Sequence, residues 1–252
     1  MNTFTLKMIA LVLMVIDHIG FYFEGAPIWF RYLGRGSYPL FLFCMVWGYH
    51  YSSDRKKYLL RLYLMSVFMT LLIYFIDTYL KTDGGFGNHN IFLSLFLVGI
   101  IISTIELFQK DQKKGSLMLA LIFLVQVLYY IAQSTIPFFR YYVNGDFLTG
   151  IIPNLALNEY GSLFLILGVL MYFLKEKKEL FCAMYILFCI GQYSTEKLVG
   201  DWAVQFFMIL ALPLMLLYNN QRGYRMKYFF YIFYPAHAFV LFYISNFLLT
   251  GK

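Results

Sequence analysis

Two adjacent side chains that can exchange protons, Asp17 and His18, lie inside the apolar run LVLMVIDHIGFYF near the start of the chain. A charged Asp at the centre of a membrane helix costs about 2.5–3.5 kcal/mol on insertion scales, so such groups are rare there without a function. Imidazole is the side chain best suited to move a proton near neutral pH. Because a neighbouring carboxylate could orient the ring, Asp17 and His18 are the candidate catalytic pair.

A second histidine, His237, lies in the run KYFFYIFYPAHAFVLFYISNF. Pro235 precedes it by two residues, and a proline inside a helix removes a backbone N–H and frees a carbonyl. Two interpretations stay open: His237 caps that carbonyl, or it binds a substrate and stabilises an oxyanion. His50 and His89 are predicted to lie at the membrane interfaces and are assigned no chemical role.

The segment EGAPIWFRYLGRGSYPLF follows the first apolar run and is predicted to form an outer loop that supplies Arg31, Arg35 and Tyr38. These three residues are candidates for binding a substrate. A guanidinium beside a buried carboxylate favours its ionised form, and charged groups in membranes usually pair with one another. Asp17 therefore either forms an ion pair with Arg31 or Arg35 or orients His18, and the sequence leaves both open.

The composition predicts that the solvent around most of these residues is lipid. The 252 residues are 61% hydrophobic and 13% charged, whereas soluble domains carry about 25% charged residues. We predict one all-α domain over residues 1–252, a polytopic membrane helical bundle whose first span is retained because it lacks a signal-peptide cleavage site. Nine spans are predicted, and a tenth within 138–159 is left open: 4–23, 37–52, 57–80, 89–108, 116–137, 160–174, 178–195, 202–218 and 228–249.

Basic residues alternate between loops and predict the orientation of the spans. The four even-numbered loops hold 13 of the 20 Lys and Arg residues, which places these loops in the cytoplasm. The N-terminus is then cytoplasmic, and nine crossings put the C-terminus outside. The net charge of +7 is explained by this topology, so no nucleic-acid partner is expected. The residues are Arg55, Lys56, Lys57, Arg61, Lys110, Lys113, Lys114, Lys175, Lys177, Lys178, Arg222, Arg225 and Lys227.

A base within the membrane suits the transfer of an acyl group from a thioester, since the incoming amine or hydroxyl must lose a proton. The donor, acyl-CoA, is cytoplasmic and polyanionic, and its phosphates would need cations near the inner face. Lys7 lies eleven residues before His18, so the two share one helix face about 16 Å apart. A metal site from Asp17, His18 and His237 is a weaker interpretation, and no metal is expected. The candidate cofactor-binding cations are Lys7, Arg55, Lys56, Arg61, Arg222 and Lys227.

Four blocks in this order resemble the TraX family: LKMIALVLMVIDHIG, FRYLGRGSYPLFLF, DRKKYLLRL and LLYNNQRGYRMKYFFYIFYPAH. The resemblance implies an integral membrane protein similar to a broader superfamily of membrane acyltransferases. In that superfamily an Arg, ten intervening residues and a catalytic His mark the first core helix. Lys7 and His18 have this spacing with Lys in place of Arg, so the resemblance implies His18 as the catalytic residue. Lysine lacks the bidentate phosphate recognition of arginine, and Trp47 stands where the family often has an acidic residue.

Together these features predict an acetyl-CoA-dependent acyltransferase in a bacterial cytoplasmic membrane. It would move an acetyl or other short acyl group to an amine or hydroxyl on a peptide, pilin-like or glycan acceptor at the outer side. The expected partners are the lipid bilayer, acyl-CoA and this acceptor, and a homodimer is left open. The alternative is a small proton-coupled transporter that uses the intramembrane Asp and His residues. A non-catalytic assembly component, with polar groups as helix–helix contacts, is a third interpretation.

Overall fold

The computed structural model describes residues 1–82, 85–142, 145–200, 203–224 and 226–249, with the backbone alone for Tyr141, Tyr142, Gly145 and Lys227. All regular elements in these ranges are helical. The α-helices are α1 (Thr3–Tyr22), α2 (Trp29–Gly34), α3 (Ser37–His50), α4 (Arg55–Tyr79), α5 (Ile91–Lys110), α6 (Gln112–Thr135), α7 (Gly145–Ile151), α8 (Gly161–Leu174), α9 (Lys178–Leu198), α10 (Ala211–Leu216) and α11 (Lys227–Tyr243). Short π-helical segments occupy Phe138–Tyr142 and Ile244–Leu248, and a 3₁₀-helix occupies Gln205–Leu210.

Helices α1, α4, α5 and α6 begin where side chains accept hydrogen bonds from the first free amides. Asn2 caps α1 through Thr5 N at 2.9 Å, and Asn90 caps α5. Asp54 caps α4 through Lys57 N at 2.9 Å, and this backbone hydrogen bond holds the pKa of the Asp54 carboxyl below its usual range. Such caps satisfy the amides that have no partner within the helix.

Within the described residues, five helices are long and apolar enough to cross a membrane: Thr3–Tyr22, Arg55–Tyr79, Ile91–Lys110, Gln112–Thr135 and Tyr228–Leu248. The fold is therefore all-helical with the character of a membrane protein. Helices α3 and α8 have 14 residues each and would span about 21 Å, less than the hydrocarbon core of about 30 Å. The predicted count of nine spans stays a prediction, and Trp202, where one span was placed, lies outside the described residues.

The chain forms two compact units, one of residues 1–48 and 173–252 and the other of residues 49–172. We call them the first and second units. The second unit interrupts the sequence of the first, so the beginning and end of the chain fold together. The expectation that all 252 residues act as one domain stays a prediction.

Helix α1 is the centre of the first unit. Helix α11 runs parallel to it, because Lys7 lies over the Phe230 ring and Tyr22 packs against Phe242. Helix α3 runs antiparallel to α1 and begins at Ser37, whose hydroxyl donates to the Ala10 carbonyl at 2.8 Å. Asp17 and His18 of α1 thus lie where α1 packs against α2 and α3, which follow it, and against α11, the last helix.

In the second unit, α7 packs beside α4, and the chain reverses direction after it. The Phe147 ring of α7 packs 4.9 Å from Tyr74, and the Ile151 carbonyl accepts a 2.8 Å hydrogen bond from the Tyr63 hydroxyl. Tyr63 and Tyr74 are eleven residues apart on α4, but α7 has seven residues. It therefore runs beside α4 for about 10 Å, and the two tyrosine side chains cover the remaining distance. A half-helix was predicted within 138–159, and α7 lies there.

The return segment, residues 153–160, is irregular, and amide side chains satisfy part of its backbone. Gln126 donates to the Pro153 carbonyl at 3.1 Å and accepts from Leu155 N at 2.9 Å. Asn158 then accepts from the Ser94 hydroxyl at 2.9 Å. Non-helical backbone at membrane depth is tolerated where protein groups satisfy it, which explains why these apolar helices carry polar residues.

A Gly150→Ala substitution is expected to destabilise the protein by about 1–3 kcal/mol, because it overpacks this segment. A Cβ atom at Gly150 would lie 1.7 Å from Thr70 Oγ1 and 2.6 Å from Thr70 Cβ. Gly191→Ala in α9 is the matched control, since a Cβ there meets nothing within 4 Å, and alanine favours the helix. Unfolding in detergent followed by circular dichroism measures both, and equal midpoints would contradict the described packing.

Candidate functional site

Asp17 forms ion pairs with two arginines. Arg35 Nη2 donates to Asp17 Oδ1 at 2.7 Å and to Oδ2 at 2.6 Å. Arg31 Nη1 lies 3.1 Å from Asp17 Oδ2 and donates to the Asp17 backbone carbonyl at 3.0 Å. The Asp17 side chain is only 15% exposed. Of the two roles left open for Asp17, the structure therefore shows the ion pair.

Arg31 and Arg35 were predicted in an outer loop; the structure shows a short helix in this connecting segment, and its position on the outer side stays a prediction. Arg31 is part of α2 and Arg35 directly follows it, and this segment lies against the side of α1. The approach is close because Gly34 has no side chain: a Cβ there would lie 2.2 Å from Asp17 Cβ. The glycine thus brings the backbone of α2 against Asp17, and both guanidinium groups reach its carboxylate.

The ion pair extends to a glutamine and a glutamate from elsewhere in the first unit. Arg35 Nη1 donates to Gln205 Oε1 at 3.3 Å. Gln205 N in turn donates to both carboxylate oxygens of Glu196 at 3.0–3.1 Å. The sequence analysis missed both residues. A polar Gln inside the apolar run VQFFMILALPL was the available signal.

His18 has a different partner. Its Nδ1 lies 3.0 Å from His237 Nε2, although the two residues are 219 positions apart. The rings are nearly parallel, with an interplanar angle of 16° and centroids 4.8 Å apart. Each residue is 8% exposed. The structure thus brings together the two histidines that the sequence analysis singled out.

The other ring nitrogen of His237, Nδ1, lies 2.9 Å from the Phe233 carbonyl oxygen. The kink interpretation of His237 predicted a hydrogen bond to the carbonyl freed by Pro235. That interpretation was wrong in its partner, because an i to i−4 helix places the carbonyl freed by Pro235 at Tyr231. His237 contacts the carbonyl one turn before itself and uses its second nitrogen for His18.

The other candidates in the first unit lie along α1, α3 and the segment before α11. Lys7 lies 5.5 Å from the centre of the Phe230 ring, so Lys7 and His18 both face α11, as their spacing predicted. Tyr38 is buried on α3. Arg222 is exposed, and its carbonyl accepts from Phe4 N at 3.2 Å. The Lys227 side chain lies outside the described residues.

Three candidate cofactor-binding cations, Arg55, Lys56 and Arg61, belong to the second unit. Arg55 Nη1 donates to Glu106 Oε2 at 2.5 Å, and the Tyr172 hydroxyl also donates to Glu106. The positive charge of Arg55 is therefore balanced by the Glu106 carboxylate. Lys56 is exposed, and the Arg61 guanidinium lies over the Tyr58 ring. Phosphate binding by Arg55 would have to compete with Glu106.

The described side chains of the first unit are of kinds that can exchange protons and bind anions. Where the structure describes the chain, no three His, Cys, Asp or Glu side chains lie close enough to hold a metal ion. The first unit instead combines a hydrogen-bonded imidazole pair with two guanidinium groups that share one carboxylate. An imidazole pair can take up and return a proton, and guanidinium groups can bind anions or stabilise developing negative charge.

Comparisons with known proteins give two short local matches. It is 47% identical over 47 residues to Protein TraX from Escherichia coli and 36% identical over 70 residues to Probable fimbrial assembly protein FimC, serogroup H1, from Dichelobacter nodosus. These matches cover 19% and 26% of this chain but only 18% and 29% of the relatives' own lengths. No solved structure matches significantly. The family described as TraX protein matches residues 3–245 of this chain, and the chain therefore belongs to the TraX family.

Proposed function

We propose that this protein is an integral membrane acyltransferase that moves an acetyl or other short acyl group from acyl-CoA to an amine or hydroxyl acceptor. His18 acts as the general base and removes a proton from the acceptor. The acceptor nitrogen or oxygen then attacks the thioester carbonyl carbon, and the bond from that carbon to sulfur breaks. His18 returns its proton to the departing CoA thiolate, so the base is regenerated.

The observation that supports this proposal is the buried hydrogen bond between His18 and His237. Both imidazoles lie within helices long and apolar enough to cross a membrane. Burial in such surroundings disfavours charged forms, so neutral imidazole is available as a base. Arg31 and Arg35 contact Asp17, the residue before His18 on α1. They are proposed to bind the acceptor or the oxyanion formed at the thioester carbonyl.

The names of the relatives support a proposal for the acceptor class. One is called TraX and another a fimbrial assembly protein, and we propose that a pilin-like or fimbrial subunit presents the accepting amine or hydroxyl. The donor is proposed to be acetyl-CoA, bound near the cytoplasmic face by Lys7, Arg222 and neighbouring cations. Neither the enzyme activity nor this donor follows from the family name, so both depend on the chemistry of the site.

We place the protein in a bacterial cytoplasmic membrane with a cytoplasmic N-terminus and nine crossings. The alternation of basic loops supports this orientation. The parallel course of α1 and α11 supports an odd number of crossings, since both helices then cross in the same direction.

A proton-coupled transporter is the second candidate. The half-helix α7 and its non-helical return in the second unit favour it, because transporters often bind substrates at interrupted helices. In the same unit, Asn90 Nδ2 donates to Ser66 Oγ and to Thr70 Oγ1, each at 3.1 Å. Solute flux that proceeds without acyl-CoA would favour this candidate over the acyltransferase.

Proteoliposomes loaded with radiolabelled acetyl-CoA on the cytoplasmic side of the protein test the proposal. A synthetic peptide with a free N-terminal amine is supplied on the other side. The label on the peptide, the free CoA thiol and the proton flux across the vesicle membrane are measured. The expected result is equal release of thiol and labelling of peptide. Proton flux with neither product would overturn the proposal in favour of the transporter.

A further inference from the structure

The two hydrogen bonds of His237 determine which nitrogen atoms of the histidine pair carry protons. A carbonyl oxygen has no proton to give, so His237 Nδ1, which lies 2.9 Å from Phe233 O, must be the donor. A neutral imidazole carries one N–H. Because His237 uses it on the carbonyl, its Nε2 is left as an acceptor.

The same reasoning passes along the next hydrogen bond. His18 Nδ1 lies 3.0 Å from His237 Nε2, so His18 must carry its proton on Nδ1 and have its lone pair on Nε2. The reverse arrangement would require a charged His237, and each residue is only 8% exposed. Placing a cation in such surroundings carries a large desolvation cost, which favours the neutral pair.

We infer that His237 is the positioning residue of the base: it fixes the tautomer of His18 so that Nε2 is the nitrogen that accepts the proton. When Nε2 is protonated, the bond from His18 Nδ1 to His237 Nε2 strengthens, and the Phe233 carbonyl dipole stabilises the positive charge through His237. The carbonyl thus takes the part that a carboxylate plays beside other catalytic histidines. This inference rests on the proposed function for the use of Nε2 but not for the tautomer itself.

Asp17 is the natural competitor for this positioning role because it precedes His18 directly. Its carboxylate oxygens accept from Arg35 at 2.6 and 2.7 Å, and one of them also lies 3.1 Å from Arg31. The Asp17 carboxylate therefore pairs with the two arginines, and His237 of α11 orients the His18 imidazole.

Nitrogen NMR on the full-length protein, labelled at histidine and reconstituted in lipid nanodiscs, tests the tautomer directly. The chain has four histidines, so the spectrum can be assigned with single substitutions. The expected result is a protonated Nδ1 and an unprotonated Nε2 on His18, with a scalar coupling across the hydrogen bond to His237 Nε2. A protonated Nε2 on His18 would overturn the inference, whether or not the protein transfers acyl groups.

Two substitutions of His237 separate positioning from mere packing. His237→Phe keeps a ring but cannot accept a hydrogen bond, and it is expected to lower kcat by about 10²–10⁴-fold with a much smaller change in KM. His237→Gln keeps an acceptor oxygen for His18 Nδ1 and is expected to retain substantially more activity and the wild-type tautomer. Equal kcat in the two variants would contradict the inference, as would an unchanged His18 spectrum in His237→Phe. If the phenylalanine variant does not fold, the wild-type and glutamine spectra decide.

Discussion

A His18→Ala variant is expected to transfer acetyl groups about 10²–10⁴-fold more slowly than the wild-type protein, the usual contribution of a general base. The loss should appear in kcat, because the proton is transferred in the transition state rather than on binding. The proteoliposome assay with acetyl-CoA and peptide measures it. His18 is buried and bonded to His237, so the folded fraction of the variant must be measured in parallel by circular dichroism.

The matched control for His18→Ala is His50→Ala. His50 is a histidine in the last turn of α3, has no proposed chemical role and belongs to the second unit. We expect its acetyl transfer to equal that of the wild-type protein. Wild-type kcat in folded His18→Ala would exclude His18 as the base.

An Asp17→Asn substitution is expected to have the largest effect on stability, about 3–5 kcal/mol, the typical cost of breaking a buried ion pair by removing one partner. Asparagine has nearly the same shape, so the packing of α2 on α1 is preserved and the change isolates the charge. Arg31 and Arg35 would then be two guanidinium groups with side chains only 25% and 20% exposed and without their carboxylate. Unfolding in detergent micelles on addition of sodium dodecyl sulfate measures the loss.

Two further variants make this prediction sharper. The double variant of Asp17→Asn and Arg35→Gln should recover part of the stability, because it removes one of the two cations that lost the Asp17 carboxylate. Asp54→Asn is the control for charge alone: Asp54 pairs with Lys57 at the surface, and asparagine can still cap α4. The unfolding midpoint of Asp54→Asn should stay near the wild-type value, and an Asp17→Asn midpoint equal to it would show that the buried ion pair contributes little.

The sequence predicts the helices well because their signals are local. The segment predicted at 37–52 is helical as α3 (Ser37–His50), and the one at 160–174 as α8 (Gly161–Leu174), but neither is among the five candidate spans. Apolar length and capping residues suffice for such elements. Nine crossings, the acyl donor and the roles of the site residues are not tested by these features and stay predictions.

The contacts between elements were harder to predict because they depend on residues far apart in the chain. The pairing of Asp17 with both arginines requires α2 to lie against α1, and that approach depends on the missing side chain of Gly34. The bond between His18 and His237 joins positions 219 residues apart. Each histidine could be selected from its own apolar run, but nothing local to either run indicates its partner.

Because the ribosome makes the chain from its N-terminus, the Asp17 ion pair can form earlier than the hydrogen bond between His18 and His237. Asp17 meets Arg31 and Arg35 within 18 residues, so the nascent α1 and α2 can neutralise the carboxylate as soon as they leave the translocon. His18 must wait until the whole second unit and α11 have been synthesised. A chain arrested before α11 would therefore be inserted with its ion pair complete and its base unpositioned, and the last helix to enter the membrane completes the site.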